Sequence, residues 1–393
     1  MNKPQTRTRG RPDFVLLILT LLLSGFGLVM VFSASSNIAV SSAEYGHDAL
    51  YFLKRQLVWV ALGTVIMLTV MNIRYERFKK GFILYFLPVL LMLIIVPFIG
   101  EERNGARSWF GFAGLGIQPT EFAKLALILY LGRLITKKGE KFREFKRGLL
   151  PIMVIVGFIC GLIMLQPDLG SCLILAATAA VMIVAGGANL KHLFYSGVIV
   201  SVVVALMVSA SMLHDPMAWQ YRIDRFTTMM NPLEDMQGSG WHLSHSLFAL
   251  GHGGLTGVGL GDGVQKLHYL TYAYSDFIFA VIGEEFGFIG SVLFLLVYLV
   301  FLWRGLLVCL RCSDVYGTVV GAGIVGMIAI QAFVNIGGVT GTIPITGVTL
   351  PFISHGGSSM LVVFGSVGVL LSISREYDRQ PQRSTNKRKP TAR

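Results

Sequence analysis

The stretch YSDFIFAVIGEEFGFIG, residues 274–290, is apolar enough for a membrane-spanning helix, yet it contains three carboxylates. Asp276 lies near its start, and Glu284 and Glu285 lie in its middle. A charged side chain at the centre of a bilayer costs about 2.5 to 3.5 kcal/mol on the insertion scale, so acids in such helices usually face protein or a water-filled cavity. This stretch therefore predicts a membrane protein and indicates where its function is to be sought.

The composition extends that prediction to the whole chain, since 54% of the 393 residues are hydrophobic and only 14% are charged. Apolar runs near the length needed to cross a bilayer, about 20 residues, recur along the sequence. They lie at 14–34, 56–72, 81–100, 121–136, 149–166, 170–188, 193–213, 276–303, 317–339 and 358–374. The run at 121–136 is the weakest, because it is short and contains Gly132 and Arg133. We expect an all-α polytopic membrane protein with about ten transmembrane helices.

The distribution of Lys and Arg predicts the orientation of these helices, because basic loops stay on the cytoplasmic side. With ten spans and a cytoplasmic N-terminus, 25 of the 33 basic residues fall in cytoplasmic segments. We therefore expect both termini inside, with basic tails at 1–13 and 375–393 around a transmembrane domain at 14–374. The net charge of +12 follows from this topology, and since the basic residues flank spans, no nucleic-acid partner is expected.

One long extracellular connection, at about 214–275, precedes the eighth span. Loops of this length are usually functional or disordered, and WHLSHSLFAL is apolar enough to pack onto the membrane domain. The glycine-dense part, from Gly251 to Lys266, has no complete GxGxxG or Walker A pattern. Glycine lets a backbone approach a ligand or a helix closely, so a phosphate cradle and a structural turn both fit this part.

Two short patterns in the sequence could contribute ligands to a metal. Cys309 and Cys312 form a CxxC pair, and His242 and His245 are three residues apart. Neither pattern has the further ligands that a zinc site needs, so we expect no metal site built from protein side chains alone.

The three acids of the opening stretch do not form one stripe on a helix. If the helix begins near Asp276, its rise places Glu284 and Glu285 about 12–14 Å deeper, and its rotation turns the acids to different faces. Asp276 is then at the outer rim, where a carboxylate can reach both a lipid headgroup and water. We expect Glu284 and Glu285 to bind neighbouring helices or to stay protonated.

Further charged residues are predicted at the same outer rim. They come from the segments 104–126 and 166–171 and from the long loop, and they are Arg107, Glu121, Lys124, Asp168, Arg222, Arg225 and Lys266. Cations among acids at an outer face could hold a pyrophosphate while a carboxylate transfers a proton. A pair such as Glu121 with Lys124 fits a structural ion-pair network equally well.

Six motifs, taken in order, resemble those of the shape, elongation, division and sporulation (SEDS) family. They read GARSWFGFAGLGIQPTEFAK, QPDLGS, YRIDRFTTMMNPLEDMQGSGW, GVQKLHYL, SDFIFAVIGEEFGFIG and IPITGVTLPFISHGGSS. The resemblance covers nearly the whole chain, and QKLHYL and VTLPFISHGGSS are similar to the FtsW and SpoVE branch more than to RodA. The family's fold agrees with the ten spans that hydropathy predicts.

The resemblance implies a peptidoglycan glycosyltransferase that polymerises lipid II at the outer face of the bacterial cytoplasmic membrane, in division or a related wall-synthesis process. Asp276 stands at the family's essential aspartate, the proposed general base. The substrate-binding residues then expected, with or without a divalent cation such as Mg²⁺ or Mn²⁺, are Arg107, Glu121, Lys124, Asp168, Arg222, Arg225, Lys266 and Ser358. A class B penicillin-binding protein and other divisome or elongation proteins are the implied partners.

The chain departs from the family pattern just before the aspartate. Where the family usually reads YLPEAHTDF, residues 269–277 read YLTYAYSDF, and His245 stands where a Gln is usual. Losing the Pro-Glu pair removes a rigid turn and one acid beside the base, which could change the base or the substrate fit. Two other functions therefore stay open: a lipid flippase or transporter whose path includes Glu284 and Glu285, and a non-catalytic scaffold for a transpeptidase.

Overall fold

The computed structural model describes residues 10–103, 106–112, 115–199, 201–202, 227–238 and 240–377, and this part of the chain is mainly helical. Its helices include α1 (Phe14–Ser41), α2 (Tyr51–Asn72), α3 (Tyr75–Lys80), α4 (Phe82–Ile99), α5 (Pro119–Lys138), α6 (Leu150–Met164), α7 (Leu169–Ala185), α8 (Trp241–Gly253), α9 (Ile278–Arg311), α10 (Val315–Val339) and α11 (Gly357–Tyr377). A π-helical turn, Phe145–Leu149, leads directly into α6.

Seven helical segments in the described part are long and apolar enough to cross a membrane: α1, α2, α4, α6 with its preceding turn, α9, α10 and α11. The predicted runs at 121–136 and 170–188 are also helical, but α5 is more polar and α7, with 17 residues, is shorter. The run at 193–213 lies mostly outside the described residues. The helical multi-pass membrane fold is confirmed, and the count of ten spans stays a prediction.

The buried centre of the domain is formed by α10 and α11. In their most apolar windows 67% and 83% of the residues are buried, against 11% in α4. α4 instead exposes large side chains such as Leu84 and Phe98, as expected of a helix that faces lipid tails. Small residues let the helices approach closely, as where Gly132 of α5 abuts Val320 of α10.

A small antiparallel sheet lies between α4 and α5, where the sequence predicted no strands. Its strands pair in chain order and are β1 (Glu101–Arg103), β2 (Ala106–Phe112) and β3 (Leu115–Ile117). The aromatic residues of RSWFGF favour a strand, although the stretch is too short to outweigh the surrounding hydropathy signal. The sheet is tied to the helical domain because the N–H of Gln118 donates to Ser358 Oγ at the start of α11 (3.0 Å).

The described part of the long loop is folded onto the membrane domain, as predicted. WHLSHSLFAL belongs to α8, whose Ser246 hydroxyl donates to the carbonyl of Val339 at the end of α10 (2.7 Å). After α8 the chain enters a stretch that we call the glycine segment, residues 254–266. Residues 203–226, with the predicted site residues Arg222 and Arg225, lie outside the described part.

α9 is interrupted near its start at Gly287, whose φ of 66° breaks the helical hydrogen-bond pattern. The N–H of Phe288 donates to the carbonyl of Gly254 (2.9 Å). The next N–H, of Ile289, donates to the carbonyl of Leu255 (3.0 Å). Two donors that a continuous helix would satisfy internally are thus satisfied by the glycine segment.

The glycine segment also satisfies the carbonyls that the break in α9 leaves without helical donors. The N–H of Val258 donates to the carbonyl of Glu284, and that of Gly259 to the carbonyl of Glu285, both at 3.1 Å. Backbone that is not helical is tolerated at membrane depth only where the protein itself provides such partners. A side chain at Gly257 would clash with the carbonyl of Glu285, so the glycines permit close approach of two backbones.

Candidate functional site

Asp276 is half-buried in the turn before α9, which begins two residues later at Ile278, near the aspartate as expected. Its Oδ1 accepts a hydrogen bond from the Ser275 hydroxyl (2.8 Å). Its backbone carbonyl accepts from Asn335 Nδ2 (2.8 Å), which also donates to the carbonyl of Val348 (2.7 Å). Asn335 of α10 therefore holds the aspartate against the loop at 340–356, which we call the α10–α11 loop.

The α10–α11 loop runs beside the segment that carries the aspartate. A side-chain carbon added at Gly347 would lie 3.7 Å from Asp276 Oδ2. The hydroxyl of Ser354 donates to the carbonyl of Ser275 (2.6 Å), and the N–H of His355 donates to the carbonyl of Tyr274 (2.9 Å). These hydrogen bonds hold the backbone of residues 274 and 275 against the loop, which pre-organises the orientation of the Asp276 carboxylate.

The segment before Asp276 that departs from the family pattern contributes Tyr274 to an aromatic cluster. The other members of the cluster are Tyr45, Tyr51, Phe52 and His355. Phe52 lies 4.3 Å from Tyr274 and 5.4 Å from His355, measured between ring centroids. Burial raises the pKa of the Tyr274 hydroxyl above its ordinary value. Burial, and then the nearby Arg55 guanidinium, lower the pKa of His355 to about 4, so this ring is neutral at pH 7. The tyrosine thus provides packing where the family pattern has a polar residue.

Glu121 and Lys124 form a buried ion pair one turn inside α5 (2.8 Å). Lys124 Nζ also donates to Gln331 Oε1 (3.2 Å), and Gln331 Nε2 donates to the carbonyl of Thr349 (3.2 Å). The pair therefore reaches the α10–α11 loop through one side chain of α10. Glu121 Oε2 is buried and makes no hydrogen bond to the described residues, which leaves one acceptor for a further donor.

Asp168 and Ser358 approach the same loop from two other elements. Asp168 caps α7 by accepting a hydrogen bond from the N–H of Ser171 (2.9 Å). A side-chain carbon at the neighbouring Gly170 would lie 2.9 Å from Val348, so the start of α7 packs on the loop. Ser358 accepts from Gln118 and donates to the carbonyl of Gly116 (3.2 Å), which joins α11 to the sheet.

The remaining predicted cations are placed differently. Arg107 is exposed on β2, and its Nε lies 3.4 Å from Glu102. Lys266 is 4% exposed, and its Nζ lies 2.5 Å from Glu285 and 2.8 Å from the Ser33 hydroxyl. The structure thus gathers Asp168, Ser358 and the Glu121–Lys124 pair around the α10–α11 loop beside Asp276, whereas Lys266 is held in a separate buried pair.

Sequence reasoning missed Gln331 and Asn335, which connect these groups. Both are buried on α10 and lie four residues apart, so they share one face of an otherwise apolar helix. Polar side chains on one face of a membrane helix indicate a functional or packing face, and this spacing was the available signal.

The chemistry open to this site is proton transfer by a carboxylate at the surface of the membrane domain. In the predicted topology the start of α5, α7, α9 and α11 and the end of α10 all lie on the outer side. A half-buried carboxylate positioned by hydrogen bonds can act as a general base towards a hydroxyl group. The site is therefore suited to activating an alcohol for attack on a substrate at the outer membrane surface.

Comparisons with known proteins agree with this architecture. The family model described as "Cell cycle protein", which covers FtsW, RodA and SpoVE, matches residues 14–379. Stage V sporulation protein E of Bacillus subtilis is 44% identical over 94% of this chain and 99% of its own length. A probable peptidoglycan glycosyltransferase FtsW of Trichlorobacter lovleyi is 40% identical over 92% and 93%. A chain of a peptidoglycan synthase complex that coordinates polymerization and crosslinking superposes with a TM-score of 0.73 and 26% identity, over 93% of this chain and 98% of that one.

Proposed function

Since the chain belongs to the FtsW, RodA and SpoVE family of cell cycle proteins, we propose that it is a peptidoglycan glycosyltransferase that polymerises lipid II, with Asp276 as general base. It is a multi-pass membrane protein, and its relatives named as peptidoglycan glycosyltransferases match it over most of their length. The observation that carries the proposal is the half-buried Asp276 at the predicted outer face, whose carboxylate accepts a hydrogen bond from the Ser275 hydroxyl and whose backbone carbonyl accepts one from Asn335.

In the proposed reaction, Asp276 takes the proton from the 4-hydroxyl of the acceptor sugar. The oxygen attacks the anomeric carbon of the lipid-linked donor, and the bond from that carbon to the pyrophosphate oxygen breaks. The polyprenyl pyrophosphate leaves with the electron pair, and the configuration at the anomeric carbon inverts. One base is enough, because the leaving pyrophosphate is a weak base that needs charge neutralisation more than a general acid.

Charge neutralisation is assigned to cations at the outer face. Lys124 is the best placed of the described candidates, because it is linked through Gln331 to the loop beside Asp276. Arg107 is exposed and can move to a phosphate, while Arg222 and Arg225 stay predictions from the sequence. Lys266 is less suited, since its Nζ is bound by Glu285 of α9 and Ser33 of α1 rather than by a group that contacts the α10–α11 loop.

The divalent cation also stays a prediction. In the described part of the chain, no group of three or more His, Cys, Asp and Glu side chains is arranged to hold a metal ion. No step of the reaction is assigned to a metal. Comparing activity with added Mg²⁺ or Mn²⁺ and with a chelator tests the requirement.

A class B penicillin-binding protein is the proposed partner, because newly made glycan strands must be crosslinked. The similar chain from a complex that coordinates polymerization and crosslinking supports this choice. A flippase is the second candidate, but Glu284 and Glu285 are both paired with protein groups in the structure, which weighs against an acidic path through the membrane.

The deciding experiment measures lipid II polymerisation by purified protein together with its transpeptidase partner. Asp276→Asn and Asp276→Ala are compared with the unaltered chain and with Asp262→Asn, a control on an exposed acid of the same loop. We expect glycan strands from the unaltered chain and the control, and none from the two Asp276 variants. Strands from folded Asp276→Ala would contradict the assignment of the base, and inactivity of every protein with partner binding intact would favour the scaffold.

A further inference from the structure

Two buried acids near the start of α9 have no part in the proposed reaction. Glu284 is 0% exposed, and its carboxylate accepts hydrogen bonds from the N–H groups of Val264 and Gln265 at the end of the glycine segment (2.9 and 3.2 Å). His252 Nδ1 lies 3.0 Å from the same oxygen. Glu284 therefore binds the backbone of the loop directly, and hydrogen bonds from backbone N–H groups to a carboxylate are among the strong ones in proteins.

Glu285 holds the next residue of the same segment. It is 1% exposed, and its Oε1 accepts from Lys266 Nζ and from the Ser33 hydroxyl of α1, both at 2.5 Å. Lys266 also donates to Ser33, so three side chains from α1, the glycine segment and α9 form one closed group. Charges buried this deeply persist only when they are paired, so this contact is strongly constrained.

Glu284 and Glu285 hold the long loop at residues 264–266, just before the segment that leads to Asp276. Residues 264–266 are bound by Glu284 and Glu285, and Asp276 follows ten residues later. The connection between them is compact: the N–H of Leu270 donates to the carbonyl of Gln265 (2.9 Å), and Leu270 and Ala273 are both 0% exposed. A displacement at 264–266 is therefore carried along a packed segment.

The four backbone hydrogen bonds at the Gly287 break give this arrangement its rigidity. Because the glycine segment and α9 exchange donors and acceptors, the loop cannot shift along the helix without leaving buried backbone groups unpaired. The side chains of Glu284 and Glu285 set the register of that exchange. Backbone and side-chain contacts thus define a single position for the loop.

We propose that Glu284 and the Glu285–Lys266 pair are positioning residues that set the location of Asp276 for proton transfer. This inference rests on the proposed function of Asp276 as general base. The acids act through the loop and do not touch the substrate. A displacement of a catalytic group by about 1 Å can lower the rate about 100-fold, so a small shift of the loop is sufficient for a measurable effect.

The test uses variants that separate positioning from folding. Lys266→Met leaves Glu285 buried without its cation and should destabilise the protein, whereas Lys266→Met combined with Glu285→Gln removes both charges and should restore stability. Glu284→Gln is a milder second variant, because the amide oxygen still accepts one backbone N–H. Arg304→Met is the matched control, since it breaks another ion pair of α9, with Asp13 (2.8 Å), close to its opposite end.

We expect the double variant and Glu284→Gln to fold, with kcat for lipid II polymerisation at least about tenfold lower and KM within about twofold of the unaltered protein. Arg304→Met should keep its kcat. Hydrogen exchange of peptides covering 264–277 should become faster in the double variant, while peptides of α10 stay unchanged. An unchanged kcat in the folded double variant, or a loss that appears only in KM, would overturn the proposal.

Failure of the proposed function is recognised separately. If the unaltered protein makes no glycan strands, the assignment of a polymerase fails, and hydrogen exchange then decides on the anchoring alone. Equal exchange over 264–277 in the unaltered chain and the double variant would show that the acids do not hold the loop.

Discussion

At the residue scale, three acids close together in sequence have different surroundings and different uses. Asp276 is half-buried at a loop and oriented by Ser275 and Asn335, whereas Glu284 and Glu285 are enclosed and bonded to the glycine segment. The two glutamates were expected to bind neighbouring helices or to stay protonated; Glu285 does contact Ser33 of α1 and Glu284 contacts His252 of α8, but both also bind the glycine segment. Burial alone does not distinguish the proposed base; Asp276 differs from the two glutamates in its partial exposure at the predicted outer face.

His355 provides a residue-scale prediction on pH. Burial lowers its pKa from 6.5 to about 4, so between these values the unfolded chain binds a proton that the folded chain does not. Stability therefore falls as the pH drops from about 6.5 to 4, by at most about 3 kcal/mol from this residue. Thermal unfolding in detergent should show a smaller loss over this range for His355→Phe than for the unaltered chain. An identical pH dependence of the two proteins would contradict the burial of a neutral ring.

At the element scale, the broken helix α9 and the glycine segment form one structural unit. The break at Gly287 would be costly in a lipid-exposed helix, but two N–H groups and two carbonyls beside it are paired with the segment 254–259. The sequence left a phosphate cradle and a structural turn open for the glycines, and this contact with α9 favours the structural interpretation. The small sheet has a comparable role, since it fixes the start of α5, and with it Glu121 and Lys124.

Gly257 provides an element-scale prediction. Its φ is 82°, and an added side-chain carbon would clash with the carbonyl of Glu285, so Gly257→Ala should be destabilising by about 1–3 kcal/mol or more. Gly251→Ala is the matched control, because a carbon added there meets no atom of the described structure within 4 Å. Melting temperatures of the purified variants compare the two. Equal melting temperatures would mean that the backbones are not in close contact.

At the scale of the whole molecule, the site is formed where many chain segments meet at one face. The α10–α11 loop contacts the turn before α9, the start of α7 and, through Gln331, the ion pair of α5. In the predicted topology all of these ends are extracellular. These ends lie on one side because, in that topology, the chain crosses the membrane an even number of times between any two of them.

The topology itself can be tested with engineered cysteines in a chain whose four native cysteines are replaced. A membrane-impermeant thiol reagent applied to intact cells should label Ser42→Cys, between α1 and α2, and Asp262→Cys in the glycine segment. Glu140→Cys, after α5, should be labelled only once the cells are permeabilised. Labelling of Glu140→Cys in intact cells would refute the predicted orientation and place the α5 pair on the other side.

The sequence by itself determined the class of the protein and predicted its helical spans and the acid at the centre of its candidate site. Hydropathy and charge distribution are local properties of consecutive residues, so runs of apolar residues and basic flanks could be assigned without a structure. Asp276 could also be singled out from the sequence alone, because it lies in the short acidic and apolar stretch 274–290. The sheet at 101–117 was not predicted, because three short strands carry little periodic signal.

Only the tertiary structure decided what each charged residue does. Lys266 and Lys124 are both buried lysines near acids, yet one is paired within the glycine segment and α9, while the other is connected to the loop beside Asp276. Such roles depend on contacts between residues far apart in the chain, such as Ser33 with Glu285 or Asn335 with Asp276. Hydrogen bonds and ion pairs need their partners within a few ångströms in space. Sequence spacing predicts which residues of one helix can meet, but it does not predict which residues of different elements lie together.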